Sequence, residues 1–307
     1  MCQYDVVLLT DFRYVSPQKI DPYTQNVLTE DQLVADALTT KGLRVWRTNW
    51  DNPDFDWSTT RYILFRTTWD YFNRFDEFKV WLESVSKKTK LINSENIIKW
   101  NIDKFYLEDL SKKGIRIPPT VFIKPKDKRT LSELITSTGW QEVILKPAIS
   151  GGARHTYRMK ANETDQYESI YQKLIKSESM LLQEFQHQII KKGEVAFMVF
   201  GGKYSHSILK KGKEGDFRVQ DDFGGTVHDY EANPEEIAFA EKVVAACTFQ
   251  PVYARVDVLW DNNDQPCLSE LELIEPELWF RNHRPAAKSM ANALVEYISD
   301  TKLLTSD

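Results

Sequence analysis

The chain has 307 residues, which exceeds the usual size of one hydrophobic core and predicts two or three packed domains. Hydrophobic residues make up 42% and charged residues 28%, the balance of a soluble globular protein, and no apolar run is long enough to cross a bilayer. The net charge of -5, with Lys and Arg interspersed among acids, argues against nucleic acid as the main partner, and three dispersed cysteines argue against a disulfide framework or a structural zinc site.

Residues 1–98 alternate predicted strands with helices, which is typical of a parallel α/β domain. The first strand, Tyr4–Thr10, is apolar and β-branched without a helical period. We predict further strands at 43–47, 62–66 and 90–92, and helices at 29–40 and 75–86.

Two further domains are predicted, at residues 99–185 and 186–307. In the middle domain, helical signals at 94–113 end at Gly114, and the prolines at 118–119 mark a boundary. Strands are predicted there at 121–123, 143–146 and 180–185, and helices at 130–138 and 167–177. The last domain changes to hairpins at 194–210 and 252–274, followed by a helix at 285–299. The predicted fold class is therefore α/β, with an α+β C-terminal lobe.

The hairpin at 252–274 is the most informative segment. Strand alternation places Arg255 and Asp257 on the same face as Glu270 and Glu272. If the six-residue turn at 261–266 is symmetric, Asp257 lies opposite Glu270 and Arg255 opposite Glu272. Opposed carboxylates destabilise a sheet unless a cation lies between them, and Mg²⁺ is a hard ion that such oxygens bind. A solvated outer face is the alternative, and the neighbouring Arg255 favours the site.

A second candidate follows the strand at 143–146, where Lys146 precedes a loop with Ser150, Gly151 and Gly152. A lysine at a strand end can reach a phosphate, and glycines let backbone N–H groups approach its oxygens. The order of residues is not that of a Walker A loop, and a plain turn is the commoner explanation for a glycine pair alone. A long glycine-rich loop at 215–225 carries a further cation, Arg218.

These elements, taken together and in order, resemble the ATP-grasp superfamily of the glutathione-synthetase or D-alanine–D-alanine ligase kind. The resemblance covers nearly the whole chain and implies a three-domain architecture, ATP and two Mg²⁺ ions as cofactors, and a ligase that joins a carboxylate to an amine through an acyl phosphate. The implied site residues are Lys104, Lys146, Ser150, Gly151, Gly152, Glu184, Phe185 and Glu194 for ATP, Asp257, Glu270 and Glu272 for magnesium, and Lys210, Arg218 and Arg255 as catalytic cations around the transferred phosphate.

One motif departs from the family pattern. The usual third magnesium ligand is Asn in E-x-N-x-x-P-G, whereas residues 270–277 are E-L-E-L-I-E-P-E. Glu272 replaces the Asn, one more residue precedes the proline, and no glycine follows it. This departure leaves the role of Glu275 open.

A narrower resemblance joins that segment to R-T-T-W-D-Y-F at 66–72, K-W-N-I-D-K at 99–104 and G-D-F-R-V-Q at 215–220. The combination is similar to a bacterial branch that includes the O-ureido-serine cyclo-ligase of D-cycloserine biosynthesis. For the pocket of the acid we predict residues that flank the motif strands, two of them arginines that can clamp a carboxylate. They are Asp11, Arg66, Trp69 and Arg281.

The expected partners are a small-molecule carboxylate and an amine, without nucleic acid or membrane, in the cytoplasm. The oligomeric state stays open, with a homodimer as the common case. Two alternatives to a ligase remain. A small-molecule kinase on the same scaffold would leave the phosphoryl group on its product, and a non-catalytic nucleotide-binding protein would bind ATP without turnover.

Overall fold

Three sheets form the fold, and each is built from one of three successive stretches of the chain. The computed structural model describes residues 2–213, 215–219 and 224–303, so Gln220 of the predicted glycine-rich loop lies outside the described residues. Within these ranges, no helix is both long and apolar enough to cross a membrane.

The first stretch forms a parallel α/β unit, as predicted. Its elements are β1 (Tyr4–Thr10), α1 (Pro22–Thr40), β2 (Val45–Asn49), β3 (Thr60–Thr67), α2 (Phe75–Val85) and β4 (Lys90–Ile92). The strands lie in the order β2-β1-β3-β4, and all three pairings are parallel. Helix α1 begins well before the predicted start at 29, because Pro22 occupies the first turn and the Asp21 carboxylate accepts from the Thr24 N–H at 2.8 Å.

The middle stretch contains a small antiparallel sheet. Its elements are α3 (Glu95–Asn101), α4 (Tyr106–Lys112), β5 (Thr120–Ile123), α5 (Leu131–Thr138), β6 (Glu142–Pro147), β7 (Tyr157–Lys160), α6 (Thr164–Leu174) and β8 (Met180–Glu184). The strand order is β5-β8-β6-β7. The short strand β7 was not predicted, because its sequence YRMK is mostly polar.

The helical segment predicted at 94–113 is broken, which corrects the placement of Lys104 inside a helix. Helix α3 ends at Asn101 and α4 begins at Tyr106. Between them the Lys104 N–H donates to the Ala148 carbonyl at 3.0 Å, a bond to another element that a continuous helix would not allow. Lys104 therefore lies in a turn that faces β6 and the loop after it.

Helices α3 and α4 pack against the third sheet, although they lie in the predicted middle domain. Ile97 and Leu107 share a core cluster with Phe197 and Val256 of the third stretch. The middle sheet has a separate core, in which Ile123 and Leu145 take part. These contacts attach α3 and α4 to the third sheet, and the boundary at 99 stays a prediction.

The third stretch forms a five-stranded antiparallel sheet. Its elements are α7 (Gln188–Lys192), β9 (Glu194–Phe200), β10 (Lys203–Lys211), β11 (Thr226–Asp229), α8 (Pro234–Ala245), β12 (Tyr253–Trp260), β13 (Pro266–Glu272) and α9 (Pro285–Leu303). The order is β11-β10-β9-β12-β13. The sequence prediction missed α7, β11 and α8, although Asn233 and Glu236 form a capping box at the start of α8. Helix α9 packs on α1 and so joins the first and third stretches.

Candidate active site

Two adjoining cavities of about 610 Å³ and about 240 Å³ lie between the three sheets. The residues that line both cavities are Lys104, Ser150, Gly151, Gly152, Lys210, Arg255, Glu270 and Glu272. Since the two spaces share these walls, they form one continuous cleft, and the predicted charged residues lie at its centre.

The register predicted for the β12–β13 hairpin is confirmed. Asp257 lies opposite Glu270, and Arg255 lies opposite Glu272. The turn is shorter than predicted, since Trp260 already pairs with Pro266, but a bulge next to Asp257 restores the register.

Buried ion pairs connect this hairpin to β9 and β10. Lys210 Nζ lies 2.6 Å from Glu194 Oε1 and 2.9 Å from Asp257 Oδ2. The Arg255 guanidinium donates to Asp257 at 2.9 Å and also to Glu272. Burial alone would raise the pKa of Asp257, but Arg255 and Lys210 hold it below its ordinary value. These cations are thus fixed in place by acids on the same sheet.

Two lysines reach the hairpin from the other side of the cleft. Lys104 Nζ lies 3.1 Å from Glu270 Oε1 and donates to the Ser150 carbonyl at 2.6 Å. Lys146, at the end of β6, lines the smaller cavity. Burial lowers the pKa of Lys146 to about 8, although Glu270 acts in the opposite direction. We refer to Lys104, Lys146, Lys210 and Arg255 as the cationic end of the cleft.

Two of the acids that face the cleft have raised pKa values. Burial raises the pKa of Glu272 to about 7. Arg255 acts in the opposite direction, but the negative charges of Glu270 and Asp257 offset part of its effect. Burial and the proximity of Glu272 raise the pKa of Glu275 to about 8. Such a site fits a divalent cation at Glu270 and Glu272, whose side chains are 32% and 29% exposed. Asp257 is already occupied by two cations, and among the described residues no three acidic, histidine or cysteine side chains form a ready-made metal cage.

The glycine loop, Ser150 to Arg154, connects β6 to β7 at the rim of both cavities. Gly152 and Ala153 both have a φ of 55°. Gly151 needs no such angle, but a Cβ there would lie 2.6 Å from a ring carbon of Phe72. The loop is therefore packed against a residue of the first stretch.

The smaller cavity has an apolar wall. Pro118, Ile144, Ile189 and Leu259 line it together with Phe185, whose ring lies 3.9 Å from the Arg158 guanidinium carbon. The N–H groups of Glu184 and Phe185 are both used within the sheet, at 2.9 Å each. These two residues therefore offer the cavity a carboxylate and a ring instead of backbone N–H groups.

Glu194 and Arg218 also line the smaller cavity. Glu194 accepts from the Ser269 hydroxyl at 2.5 Å in addition to its ion pair with Lys210. Arg218 forms an ion pair with Asp216 at 2.7 Å, and its side chain is 38% exposed at the rim. It is not drawn into the buried network of the other cations.

Of the four residues predicted for the acid's pocket, Trp69 lines the larger cavity, and its indole N–H donates to the Glu275 carbonyl at 2.9 Å. Asp11, Arg66 and Arg281 line neither cavity, which corrects the predicted contact. Asp11 and Arg66 are fully buried, so a ligand cannot reach them.

These three residues bind residues in or next to the cavity wall and so hold the wall in place. Asp11 binds the Arg13 guanidinium at 2.6 Å, and Arg13 is the residue that reaches the cavity. Arg66 donates to the Pro276 carbonyl at 3.4 Å, and Arg281 forms ion pairs with Glu30 and with Glu277, which does line the cavity.

Of the far side of the larger cavity, the sequence prediction had placed only Trp69 in a substrate pocket. Aromatic side chains dominate this side, and two acids accompany them; we call this the aromatic end. Its residues are Tyr14, Tyr23, Trp69, Tyr71, Glu275 and Glu277. Trp279 lies between the two ends, with its ring centroid 5.2 Å from the Arg255 guanidinium carbon. The only signal for this end in the sequence was the R-T-T-W-D-Y-F motif, which contains Trp69 and Tyr71.

Two sequence families cover most of the chain. Residues 6–93 match the family described as D-cycloserine synthetase DcsG, N-terminal domain, and residues 102–278 match the RimK-like ATP-grasp domain. The Cycloserine biosynthesis protein DcsG of Streptomyces lavendulae is 27% identical over 279 residues, which cover 85% of this chain and 91% of the relative. The Probable alpha-L-glutamate ligase of Marinomonas sp. (strain MWYL1) is 27% identical over 225 residues, 71% of this chain and 70% of the relative.

Solved structures share the fold. The crystal structure of D-cycloserine synthetase DcsG has a TM-score of 0.82 at 24% identity, with 95% of this chain and 99% of that chain covered. The ATP-grasp ligase PsnB, complexed with minimal precursor, Mg, and ADP, has a TM-score of 0.61 at 15% identity, with coverage of 95% and 97%. At these identities the likeness concerns the fold alone.

Proposed function

This chain belongs to the RimK-like ATP-grasp family, and on that premise we propose that it is an ATP- and Mg²⁺-dependent ligase that joins the carboxylate of a small amino-acid-like substrate to an amine. The proposal draws on the relatives named as a cycloserine biosynthesis protein and an alpha-L-glutamate ligase. The observation that carries it is the convergence of four cations on the acidic β12–β13 hairpin, next to the glycine loop.

The proposed reaction begins at the cationic end. Lys104 and Lys146 would hold the ATP phosphates together with backbone N–H groups of the glycine loop, and the apolar wall around Phe185 would hold the adenine. Glu194 would reach the ribose hydroxyls, and Arg218 would approach the phosphates from the rim.

Arg255 and Lys210 would neutralise the charge that develops when a substrate carboxylate oxygen attacks the γ-phosphorus and ADP leaves. An amine nitrogen then attacks the acyl carbon, inorganic phosphate leaves, and the nitrogen loses a proton. Such catalysis depends on positioning and electrostatics, and it agrees with a site whose charged groups are already held by buried ion pairs.

Mg²⁺, when bound, would draw negative charge from the phosphate oxygens. Glu270 and Glu272 are the proposed ligands, and Asp257 would join them after one of its cations turns to the phosphate. A second ion stays a prediction, as do a homodimer and a cytoplasmic location.

The test measures ADP and inorganic phosphate released from Mg-ATP in the presence of a panel of amino acids and amines, chosen first by thermal shift. We expect Lys146→Ala and Glu270→Ala each to lower kcat/KM roughly 100-fold or more, since each removes a charge next to the transferred phosphate. Lys112→Ala, an exposed lysine paired with Glu108, is the matched control.

If both cleft variants keep full turnover, the proposal is wrong. ADP release without inorganic phosphate, with the phosphoryl group on the product, would identify a kinase instead.

A further inference from the structure

Five carboxylates line the larger cavity, and they differ in their partners. Four of them form ion pairs: Asp70 with Arg74, Glu270 with Lys104, Glu272 with Arg255 and Glu277 with Arg281. In the described part of the chain, Glu275 is the one carboxylate of this cavity without a Lys, Arg or His partner. It is also the residue of the E-L-E-L-I-E-P-E segment to which the proposed phosphate chemistry assigns no role.

The backbone of Glu275 is held in place, and burial, not a cationic partner, dominates the charge state of its carboxyl group. The Glu275 backbone carbonyl accepts from the Trp69 indole N–H at 2.9 Å, and the Tyr71 hydroxyl lies close to the Glu275 carboxyl group. Tyr71 is itself buried, at 8% exposure. Glu275 thus has a fixed backbone position in the cavity wall and a neutral neighbour.

A carboxylate in a wall of aromatic rings is unfavourable unless a cation accompanies it. The aromatic end also supplies the rings of Tyr23 and Trp69, and the face of an aromatic ring attracts a cationic group. The face of Tyr14 is taken by the Arg13 guanidinium, 5.3 Å from its centroid. An ammonium beside Glu275 would satisfy both features. It would also stabilise the charged form of a carboxyl group that burial disfavours.

The position of Glu275 relates this ammonium to the activated carboxylate. Glu275 follows Glu272 by three positions in the chain, and both side chains line the same cavity as Arg255 and Lys210. One ligand can therefore extend from the cationic end to Glu275 within one cavity.

An ammonium that stays protonated beside Glu275 has no lone pair for attack on an acyl phosphate. The group assigned to Glu275 is therefore an amino group of the substrate that stays protonated and does not react.

We infer that Glu275 binds a primary ammonium group on the same molecule whose carboxylate is activated, so that this substrate is a zwitterion and Glu275 determines its selection over uncharged analogues. The inference rests on the proposed ligase function. Glu275 acts here in substrate binding, and Tyr71 lines the cavity beside it.

The experiment replaces the unidentified amine with hydroxylamine, which converts an acyl phosphate into a hydroxamate that can be measured directly. Wild type is assayed with Mg-ATP, hydroxylamine and a panel of D- and L-amino acids, each matched with its 2-hydroxy acid counterpart. We expect kcat/KM for the best amino acid to exceed that of its hydroxy acid by roughly 10- to 100-fold, since a hydrogen bond between charged groups contributes on that scale.

Glu275→Gln keeps the shape of the side chain and removes its charge. We expect it to lower kcat/KM for the amino acid by the same factor, mainly through KM, while the values for the hydroxy acid and the KM for ATP stay unchanged. Glu275→Asp, which retains the charge, should keep part of the discrimination. Glu108→Gln, in an exposed ion pair on α4, is the matched control.

The outcomes separate the two proposals. If wild type forms no hydroxamate from any acid, the ligase function fails, and this inference fails with it. If hydroxamate forms but amino acids and hydroxy acids are used equally well, or if Glu275→Gln keeps the discrimination, the inference alone is overturned.

Discussion

The cationic end and the aromatic end of the cleft are built by different parts of the fold. At the cationic end, Lys210, Arg255 and Asp257 project from β10 and β12, and Lys210 lies directly opposite Glu194 in the sheet. At the aromatic end, Tyr14, Trp69, Tyr71 and Glu275 come from segments that follow β1, β3 and β13. Backbone hydrogen bonds fix the first set, and the packing of loops fixes the second.

This difference suggests that the cationic end serves catalysis and the aromatic end serves the selection of substrates. Charges that a sheet holds in register need little rearrangement when a phosphate arrives, which favours catalysis. Loops can change their side chains without disturbing a sheet, which favours the selection of substrates. The expectations below test this contrast, and the largest effect comes first.

Replacement of Arg255 by Lys should have the largest effect. Arg255 binds Asp257 through two nitrogens and also contacts Glu272, and a lysine can supply one point charge but not this planar arrangement. We expect kcat/KM for ADP release to fall roughly 100-fold or more. The exposed Arg129, which binds Asp127, provides the control Arg129→Lys. Normal activity of Arg255→Lys would mean that charge alone matters at the cationic end.

The Gly151→Ala variant tests whether the glycine loop, which lines both cavities, depends on its packing against Phe72. The new methyl group would lie 2.6 Å from the Phe72 ring, so one of them must move. Overpacking of this kind costs about 1–3 kcal/mol. If the loop moves to relieve it, the loop N–H groups leave the phosphates, and we expect kcat/KM to fall roughly 10- to 100-fold. Removing the ring in Gly151→Ala/Phe72→Ala should restore part of the activity. A double variant no more active than Gly151→Ala would show that the contact with Phe72 is not the cause.

Loss of the Asn101 amide should disturb both ends together. Asn101 donates to the Leu271 carbonyl and accepts from the Leu273 N–H, both at 2.8 Å, at the open edge of β13. In Asn101→Ala these backbone groups lose their partner, and we expect the free energy of unfolding, measured with urea, to fall by about 2–3 kcal/mol.

The KM for ATP and the KM for the carboxylate should both rise in this variant, because β13 leads from the acids of one end to Glu275 of the other. Asn263→Ala, in the exposed turn of the same hairpin, is the control. A rise in only one KM would contradict the coupling.

The smallest expected effect is a pH dependence at the cationic end. Burial lowers the pKa of Lys146 to about 8, so the ammonium is present below that pH and is lost as the pH rises through it. Since the charged form binds phosphate, we expect the KM for ATP to rise about tenfold between pH 7 and pH 9. Lys146→Arg keeps its charge over this range and should show a flatter profile. An identical profile in both proteins would assign the dependence to another group.

The sequence alone determined the parts of the fold that depend on local periodicity. Strand β1 and strand β4 have the predicted bounds, and the two hairpins of the third stretch were found, because apolar alternation and turn residues are adjacent in the chain. The register of Asp257 and Glu270 followed from the same alternation. The turn is shorter than assumed, and the bulge that compensates for this was not visible in the sequence.

Tertiary structure decided which of the predicted residues face the cleft. Arg66 lies near the end of β3 and Asp11 directly follows β1, yet their side chains are buried against Asp31 and Arg13. Lys104 reaches Glu270 because the helix breaks where its N–H bonds to the Ala148 carbonyl, a contact with a residue far away in the chain.

The aromatic end shows most clearly why local sequence patterns do not predict every part of a site. Its side chains come from the segments after β1, β3 and β13 and, for Tyr23, from the start of α1, so their meeting depends on how the sheets pack and not on any local pattern. Side-chain periodicity is a property of one strand or helix, and it therefore determined the cationic end largely from sequence. The convergence of loops is a property of the packed domains, and only the tertiary structure could bring Glu275 next to Tyr71 and Trp69.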